Sequence, residues 1–180
     1  RTYYSSPVQI PGTTWSTISI SNYFTNAIKT DGTLWGWGYP GYGNVGPSYV
    51  PNTPGVSAPI QIPGTWATGD NKLATSAYVT LAIKANGELW SWGYGNYGVT
   101  GQNNETKYSS PVQIPGTTWS QVTAGNYNAM ALKTDGTLWW WGYGDMGANG
   151  MGSSLTHRSS PTQIGTDTDW TKISSNQYSY

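Results

Sequence analysis

The chain has 180 residues, enough for one domain of ordinary size, and its eight Lys and Arg balance its eight Asp and Glu. With no net charge and only 9% charged residues, it lacks the basic surface that nucleic acid or an anionic membrane requires, so neither is expected as a partner. The absence of cysteine excludes disulfides and thiol chemistry, and no apolar run is long enough to cross a membrane. The 24 Gly and 11 Pro favour a turn-rich fold rather than long helices.

A Ser-Pro segment returns along the chain at intervals of about fifty residues. Its prolines are Pro7, Pro59, Pro111 and Pro161. We therefore predict one repeat domain over residues 1–180, with repeats at approximately 5–56, 57–108 and 109–158 and a partial repeat at 159–180. Each Ser-Pro segment is expected to lead into the next unit. Uneven spacing places extra residues near 66–73 and in the 47–56 loop.

Within the third repeat, the period of the pattern is two, which predicts strands over about 119–123, 128–134 and 137–142. An Asp-Gly pair separates the second and third of these strands. This pair predicts a type I′ hairpin turn with positive φ at both residues. The turn residues of the three repeats are Asp31, Gly32, Asn86, Gly87, Asp135 and Gly136.

Tryptophans occur in pairs at alternate positions of the third predicted strand, so both members of a pair point to one face. Small and branched apolar residues on the second strand supply material for packing on both faces. Sheets that pack on copies of themselves at this period form a β-propeller. We predict an all-β propeller of four-stranded blades, with about 3.5 blades present. The predicted core tryptophans are Trp35, Trp37, Trp90, Trp92, Trp139 and Trp141.

The segment 131–144, ALKTDGTLWWWGYG, preceded by Val-Thr-Ala-Gly at 122–125, resembles the regulator of chromosome condensation repeat. The resemblance covers nearly the whole chain and implies a propeller, usually of seven blades with four strands each. Members of that family include a chromatin-bound nucleotide-exchange factor, a secreted β-lactamase inhibitor, and bacterial and phage surface proteins. The family's frequent His at the start of the second strand is replaced by Phe24, Val79 and Asn128. We therefore do not expect exchange-factor activity, and the chain looks more like the bacterial and phage versions.

The repeats present amount to half of a seven-bladed ring. Joining the end of one chain to the start of another would omit a hairpin, because residues 170–180 match the third repeat only as far as its first strand. We therefore expect the sequence to be part of a longer polypeptide. A symmetric oligomer of short chains is the alternative.

Candidate catalytic and metal-binding residues each have a structural explanation. His157 lies in a polar loop, and Asp31 and Asp135, which could be imagined as a carboxylate pair, both precede a turn glycine. Lys29, Lys84 and Lys133 recur at one position, as solvated strand ends or partners of turn carboxylates. Asp145 with Asn149, or Asp167 with Asp169, offers too few acidic ligands for calcium. We expect no enzyme, no cofactor and no metal site.

The candidate binding surface is a rim of residues in the loops after the third strand. Tyrosine suits recognition because it is amphipathic and loses little entropy on binding, although the same rings could instead wedge between neighbouring blades. We predict a non-enzymatic scaffold or recognition module that binds a protein on an extracellular or virion surface. The alternative is a carbohydrate-binding propeller with repeated aromatic sugar sites. Trp140 occupies a position that is small in the other repeats, so it either covers the next blade, which we favour, or binds a partner. The candidate rim residues are Tyr39, Tyr42, Tyr94, Tyr97, Trp140, Tyr143 and Met146.

Overall fold

The computed structural model describes residues 6–46, 55–144, 147, 150–152 and 157–175. In these residues, twelve strands form three antiparallel sheets of four strands each, which we call blades 1, 2 and 3. Blade 1 comprises β1 (Trp15–Ile20), β2 (Phe24–Lys29), β3 (Leu34–Gly38) and β4 (Val56–Ile62). Blade 2 comprises β5 (Leu73–Thr75), β6 (Val79–Ile83), β7 (Leu89–Gly93) and β8 (Tyr108–Ile114). Blade 3 comprises β9 (Trp119–Ala124), β10 (Asn128–Lys133), β11 (Leu138–Gly142) and β12 (Arg158–Gln163).

The blades meet along their first strands, since β1 contacts β5 and β5 contacts β9. The Val122 N–H donates to the Asn71 carbonyl over 2.8 Å, which joins blade 3 to blade 2 at this inner edge. The prediction of an all-β propeller with four-stranded blades is therefore confirmed, as a partial ring. Among the described residues, no helix is long and apolar enough to cross a membrane.

Residues 164–175, predicted as the start of a fourth unit, run beside blade 3 without forming a strand. The Gln121 amide donates to the Thr171 carbonyl over 2.7 Å, and the Ile173 N–H donates to Gln121 Oε1 over 3.3 Å. Ile173 also packs on Leu132 and Leu138. The segment therefore lies beside the first strand of blade 3 in the same way that the first strand of blade 3 lies beside the first strand of blade 2.

Each blade packs its front face against the back face of the preceding blade. Between blades 1 and 2, the cluster of buried residues joins Ile28 and Leu34 of blade 1 to Leu73, Ala82 and Trp92 of blade 2. A second cluster joins blades 2 and 3 in the same way, and its members include Leu81, Ile83, Val122, Ala131 and Trp141. Burial of these apolar surfaces supplies most of the free energy that holds the stack together.

The front face of blade 1 is open, because no described residues precede it in the stack. Ile18 is 53% exposed and Ile20 is 64% exposed. Val122 is the equivalent of Ile18 in blade 3, because it pairs with Ala131 on the second strand as Ile18 pairs with Ala27. It is only 1% exposed. The exposure of these isoleucines follows from their place in the stack, since the same position is covered in blade 3.

The predicted tryptophan core is partly wrong. The second members of two pairs, Trp92 and Trp141, are fully buried, whereas Trp37 lies half-buried on the open face of blade 1. The first members, Trp35, Trp90 and Trp139, are half-buried, because they lie near the ends of their blades beneath a lysine side chain.

Trp140 is a packing residue, as favoured above, and not a rim residue. It is 1% exposed and lies in the middle of β11, paired with Met130 and Thr162. The equivalent slot in blade 1 holds Gly36, where an added Cβ would lie only 2.8 Å from the Val45 carbonyl oxygen. In blade 1 the backbone of the following loop therefore lies against the strand, whereas blade 3 has an indole at this position.

The hairpin turns lie where predicted, but their type differs from the predicted type I′. Gly32 N–H donates to the Lys29 carbonyl, and Lys29 N–H donates to the Thr33 carbonyl. Only the glycine has positive φ, at +79°. This is a three-residue loop with a G1 bulge. Asp31 keeps ordinary φ because its carboxylate accepts the Thr33 N–H over 2.9 Å, and Asn86 and Asp135 act in the same way on residues 88 and 137.

The Ser-Pro segments form the outer strand of the preceding blade and do not lead into the next one. Pro59, Pro111 and Pro161 lie within β4, β8 and β12, at the free edge of each sheet. Proline is tolerated there because an outer strand has one edge without ladder hydrogen bonds. The blades accordingly span about 15–62, 66–114 and 119–163, out of phase with the predicted repeat boundaries.

The extra residues predicted near 66–73 form a bulge in the first strand of blade 2. Trp66 pairs with Lys84 as an isolated bridge, and the strand resumes at Leu73. At the bulge, Asn71 adopts a φ of +56°, and its side chain donates to Gln121 Oε1 over 3.1 Å. The insertion thus links blade 2 to blade 3 at the inner edge. The other predicted insertion, at 47–56, lies mostly outside the described residues.

Candidate functional site: a tyrosine array

A pair of tyrosines lies at the same end of each blade, where the second strand begins and the third strand ends. Antiparallel pairing makes these two points neighbours. The Tyr39 N–H donates to the Tyr23 carbonyl over 2.8 Å in blade 1. The same bond joins Tyr94 to Tyr78 over 2.7 Å and Tyr143 to Tyr127 over 2.8 Å.

The glycine that ends each third strand makes this pairing possible. Gly38 has a φ of +114°, and the equivalent Gly93 and Gly142 also have positive φ. A Cβ at Gly142 would overlap the carbonyl of Tyr127 and lie 2.7 Å from Asn128 Cα. The Trp-Gly sequence therefore fixes the direction in which the following tyrosine leaves the sheet.

Two further tyrosines bridge neighbouring blades. Tyr42 follows blade 1, and its ring centroid lies 6.0 Å from that of Tyr39 in its own blade. It also lies 5.1 Å from Tyr78 and 5.7 Å from Tyr94 in blade 2. Tyr97 repeats this arrangement, with its ring 5.2 Å from Tyr127 in blade 3.

The rings form one continuous surface across all three blades, which we call the tyrosine array. Tyr78 and Tyr127 stack with centroids 4.7 Å apart, so the array is unbroken between blades 2 and 3. His157 ends it by stacking on Tyr143 at 4.8 Å. The array consists of Tyr23, Tyr39, Tyr42, Tyr78, Tyr94, Tyr97, Tyr127, Tyr143 and His157.

Some rings of the tyrosine array are packed between blades, and others are exposed to solvent. Tyr42 is half-buried between blades, as the wedge alternative describes, whereas Tyr39 and Tyr97 are exposed to solvent. An open cleft of about 830 Å³ borders the blade 1 end of the array, lined by Tyr23, Tyr39 and Tyr42 together with Val56 and Ser57. Edge-to-face contacts between the rings hold them in place, so little conformational freedom is left to lose on binding.

Tyr97 is held in an uncommon backbone conformation, with φ of +57°. A bulky residue in the left-handed region is strained by about 1–3 kcal/mol, and such strain concentrates at functional sites. The preceding Gly95 carbonyl accepts the Gly98 N–H over 2.9 Å, which closes a tight turn around Tyr97. This turn directs the ring over blade 3.

The phenol groups at the centre of the array are harder to ionise than an ordinary tyrosine. Burial raises the pKa of Tyr42, and neighbouring phenols, Tyr78 first among them, add to the effect. A hydrogen bond with the Tyr127 hydroxyl raises the pKa of Tyr78, and burial raises it further. At neutral pH the phenols of Tyr42 and Tyr78 are therefore uncharged hydrogen-bonding groups on an apolar surface.

Part of this site could be predicted from the sequence. Tyr39, Tyr42, Tyr94, Tyr97 and Tyr143 all belong to the array, whereas Met146 lies outside the described residues. His157 and the three tyrosines that precede the second strands were not predicted as part of the site. Those three recur at one repeat position, so the repeat alignment contained the signal. They are Tyr23, Tyr78 and Tyr127.

The residues considered for catalysis are not brought together. Asp31 and Asp135 belong to turns of blades 1 and 3, and hydrogen bonds from Thr33 and Thr137 hold the pKa of each carboxyl below its usual range. Within the described ranges, no three potential metal ligands cluster. Asp167 and Asp169 are exposed, and Asp145 and Asn149 lie outside the described residues.

Three four-stranded sheets stacked around their first strands define a partial β-propeller. Residues 86–132 match a family model described as "Regulator of chromosome condensation (RCC1) repeat", and residues 119–148 match a second model with the same description. The two matches together cover residues 86–148 and support the regulator of chromosome condensation repeat family. This confirms the resemblance seen in the sequence.

Relatives of known sequence contain this chain's repeats within longer proteins. The mitochondrial RCC1 domain-containing protein RUG3 of Arabidopsis thaliana is 26% identical over 99 residues, which are 55% of this chain and 22% of that protein. The human E3 ubiquitin-protein ligase HERC2 is 26% identical over 100 residues, which are 56% of this chain and 2% of that protein. The chain therefore spans less than a quarter of the length of these curated relatives.

Solved structures share the fold. Human WBSCR16 matches with a TM-score of 0.71 and 22% identity, over 84% of this chain and 40% of that chain. Prp20p from Saccharomyces cerevisiae, described with its binding to Gsp1p and histones, matches with a TM-score of 0.71 and 22% identity, over 83% of this chain and 38% of that chain. Yeast RCC1 has also been solved with Kap60 bound to it.

Proposed function

We propose that this chain is part of a non-enzymatic recognition module, and that the tyrosine array is its protein-binding surface. The observation that carries the proposal is the continuity of the array across three blades, with Tyr39 and Tyr97 exposed and the strained backbone of Tyr97 directing its ring over blade 3. Tyrosines supply large contact areas at low entropic cost, which is why binding surfaces are rich in them. Binding is consistent with the yeast relative, which binds other proteins.

The chemistry of the array indicates the kind of protein it fits. Its phenol groups are neutral at ordinary pH and offer both hydrogen-bond donors and acceptors around apolar rings. A partner surface of apolar side chains and backbone carbonyls would complement it better than a strongly basic or acidic one. We therefore expect affinity to depend little on salt concentration.

The carbohydrate alternative is less favoured at the array. Sugars stack on flat, accessible ring faces, and most of the rings here are turned edge-to-face against one another. The proposal keeps an extracellular or virion-surface location, which the low charge and the lack of cysteine allow.

The proposal also places the three blades in a larger ring, of seven blades as the resemblance implies. The open front face of blade 1 supports this, because Ile18 and Ile20 are exposed where the same face is covered in blades 2 and 3. The further blades would come from a longer chain, with a symmetric oligomer as the alternative. The intact mass of the native polypeptide, measured with its mass in solution, distinguishes the two.

The binding test uses the double variant Tyr39→Ser/Tyr97→Ser, which removes two exposed rings while leaving the bridging Tyr42 in place. Proteins from the native source are cross-linked to the immobilised chain and identified, and the strongest is purified for affinity measurement. We expect the double variant to weaken its binding by about a hundredfold. Trp170→Ser, which removes an exposed aromatic outside the array, should leave the affinity unchanged. Equal losses in both variants, or no loss in either, would contradict the proposal.

A further inference from the structure

A second repeated cluster lies at the opposite end of the blades, where the second strand of each blade ends in a lysine. Each ammonium group lies over two indole rings. Lys84 Nζ is 3.7 Å from the centroid of Trp90 and 5.8 Å from that of Trp66. Lys133 Nζ is 4.0 Å from Trp139 and 4.8 Å from Trp119. Lys29 in blade 1 repeats the arrangement. The cluster thus holds a cation on an aromatic surface in every blade.

The clusters of blades 2 and 3 hold their carboxylate at different positions, Glu88 in blade 2 and Asp135 in blade 3. In blade 2, Glu88 forms an ion pair with Lys84 at 3.7 Å and accepts the Trp90 Nε1–H over 3.1 Å. In blade 3 the equivalent residue is Thr137, whose hydroxyl accepts the Trp139 Nε1–H over 2.9 Å. Lys133 therefore forms no ion pair within the described part of the chain. The two sites share the tryptophan geometry, but only Lys84 is paired directly with a carboxylate. The Asp135 carboxylate is bound by Thr137, whose hydrogen bonds are the main cause of its lowered pKa, and the charge of Lys133 adds a smaller effect.

A cleft of about 370 Å³ opens beside Lys133, between blades 2 and 3. We call it the Lys133 cleft. Its volume is in the range of small-molecule sites, and its walls are mostly apolar. The equivalent cleft beside Lys84 is about 300 Å³. The apolar lining of the Lys133 cleft comes from Ile114, Pro115, Trp119, Trp139 and Pro161.

Neutral polar side chains line the rest of the Lys133 cleft. The Gln102 amide nitrogen donates to the carbonyls of Val112 and Gln113, at 3.3 and 3.2 Å, which fixes that side chain and leaves its oxygen as an acceptor. The side chains of Gln113 and Ser160 have no hydrogen-bond partner among the described residues. The cleft therefore combines an aromatic wall, one cation without an ion pair and several fixed or unoccupied neutral hydrogen-bonding groups.

We propose that the Lys133 cleft binds a carboxylate-bearing sugar residue. The apolar face of the sugar ring would lie against Trp139 and Pro161, its carboxylate would contact Lys133 Nζ, and its hydroxyls would bond to Gln102 and Gln113. An acidic peptide side chain would also satisfy Lys133, but it would leave these neutral polar groups without partners. The observations therefore favour a ring with several hydroxyl groups. This site lies at the other end of the blades from the tyrosine array and does not depend on the proposed protein binding.

The test follows the indole N–H resonance of Trp139, assigned by its loss in Trp139→Phe, during titration with methyl β-D-glucuronide. The matched probes are methyl β-D-glucoside, which lacks the carboxylate, and N-acetylglutamate α-amide, which lacks the sugar ring. We expect saturable shifts with the glucuronide, and affinities about tenfold weaker for the other two probes. Stronger binding of the glutamate probe would overturn the proposal in favour of a peptide, and no saturable shift would overturn it altogether.

The chain itself provides the control variants. Thr137→Glu gives Lys133 the ion pair that Lys84 has, and a Glu at this position accepts the tryptophan N–H in blade 2. It also removes the hydroxyl that donates to Asp135, as Thr137→Gln does, so the two variants differ from each other only in the added charge. Thr137→Glu should weaken glucuronide binding by about tenfold, whereas Thr137→Gln, which adds no charge, should not. Glu88→Thr frees Lys84 and should create a new glucuronide-dependent shift at Trp90. Equal binding by Thr137→Glu and Thr137→Gln would contradict a role for the free charge.

Discussion

Trp92 donates its indole N–H to the Asn44 carbonyl over 2.8 Å, and this bond fastens blade 2 to the loop that follows blade 1. Trp141 makes the same bond to the Val99 carbonyl over 2.8 Å, which fastens blade 3 to blade 2. Trp37 is the equivalent residue in blade 1, and its Nε1 has no partner among the described residues. The second tryptophan of the third strand thus makes the same hydrogen bond to the preceding blade at both interfaces, between blades 1 and 2 and between blades 2 and 3.

Trp92→Phe should lower the free energy of unfolding by about 2–4 kcal/mol, because it creates a cavity and removes the shortest hydrogen bond to the Asn44 carbonyl, which keeps only the longer bonds from Asn26 and Thr80 at 3.4 Å. Urea denaturation followed by circular dichroism measures the change. Trp37→Phe is the matched control, since it removes the same atoms from a half-buried position with no indole hydrogen bond. Its cost should be below about 1 kcal/mol, and equal costs at the two positions would argue against the link.

Ile18→Thr and Val122→Thr change equivalent positions in blades 1 and 3. Val122 is covered by blade 2, so introducing a hydroxyl there should cost about 1–3 kcal/mol. Ile18 faces solvent, so Thr there should cost less than about 1 kcal/mol and should reduce self-association in light scattering. A cost at Ile18 as large as that at Val122 would show that the front face of blade 1 is covered in solution.

Gly87→Ala should destabilise the chain through two effects. Gly87 has a φ of +81°, and its added Cβ would overlap the Thr117 carbonyl at the start of blade 3. Gly69 also has positive φ, at +104°, but nothing lies within 4 Å of its Cβ position. Gly69→Ala therefore measures the backbone strain alone, and Gly87→Ala should cost about 1–3 kcal/mol more in thermal or urea unfolding. If both variants cost the same, the turn of blade 2 does not contact blade 3 as described.

Tyr78→Phe should reduce the loss of stability at alkaline pH. Because the Tyr127 hydroxyl and burial raise the pKa of Tyr78 above that of an unfolded chain, the folded state holds this proton more tightly. The resulting stability is fully present below about pH 10 and is lost as pH rises through the folded pKa. Melting temperatures between about pH 9 and pH 11 should therefore fall less steeply in Tyr78→Phe than in the unchanged chain. A parallel fall in the two would contradict the perturbed phenol.

The blades could be predicted because their signals are local and repeated. The alternation around Trp139 and Trp141 fixes the strand and its faces, and the Asp135-Gly136 pair marks the hairpin. The turn type could not be predicted from the pair alone, because it depends on whether the aspartate oxygen accepts the backbone N–H two residues later. The outer strands were misplaced because the Ser-Pro segments were assigned to the following unit, although a free sheet edge tolerates a proline such as Pro161.

The burial of single side chains depends on contacts that the sequence pattern does not contain. Trp139 and Trp141 have the same period and point to the same face, yet only Trp141 lies deep between blades. The same limit applies to Trp140, for which the sequence left both packing and binding open; it lies inside the sheet. Most of the tyrosine array was foreseen from its loop tyrosines, whereas Tyr78 and Tyr127 become part of it only through stacking between blades.

The prolines in the outer strands restrict how such chains can assemble. Pro59, Pro111 and Pro161 remove a backbone donor at the free edge of every described blade, which hinders lateral recruitment of another strand and growth into amyloid-like filaments. Among the described residues, nothing protects the front face of blade 1 in this way. A further blade could therefore pack on that face, whereas the prolines hinder the pairing of another strand with the outer edges of the blades.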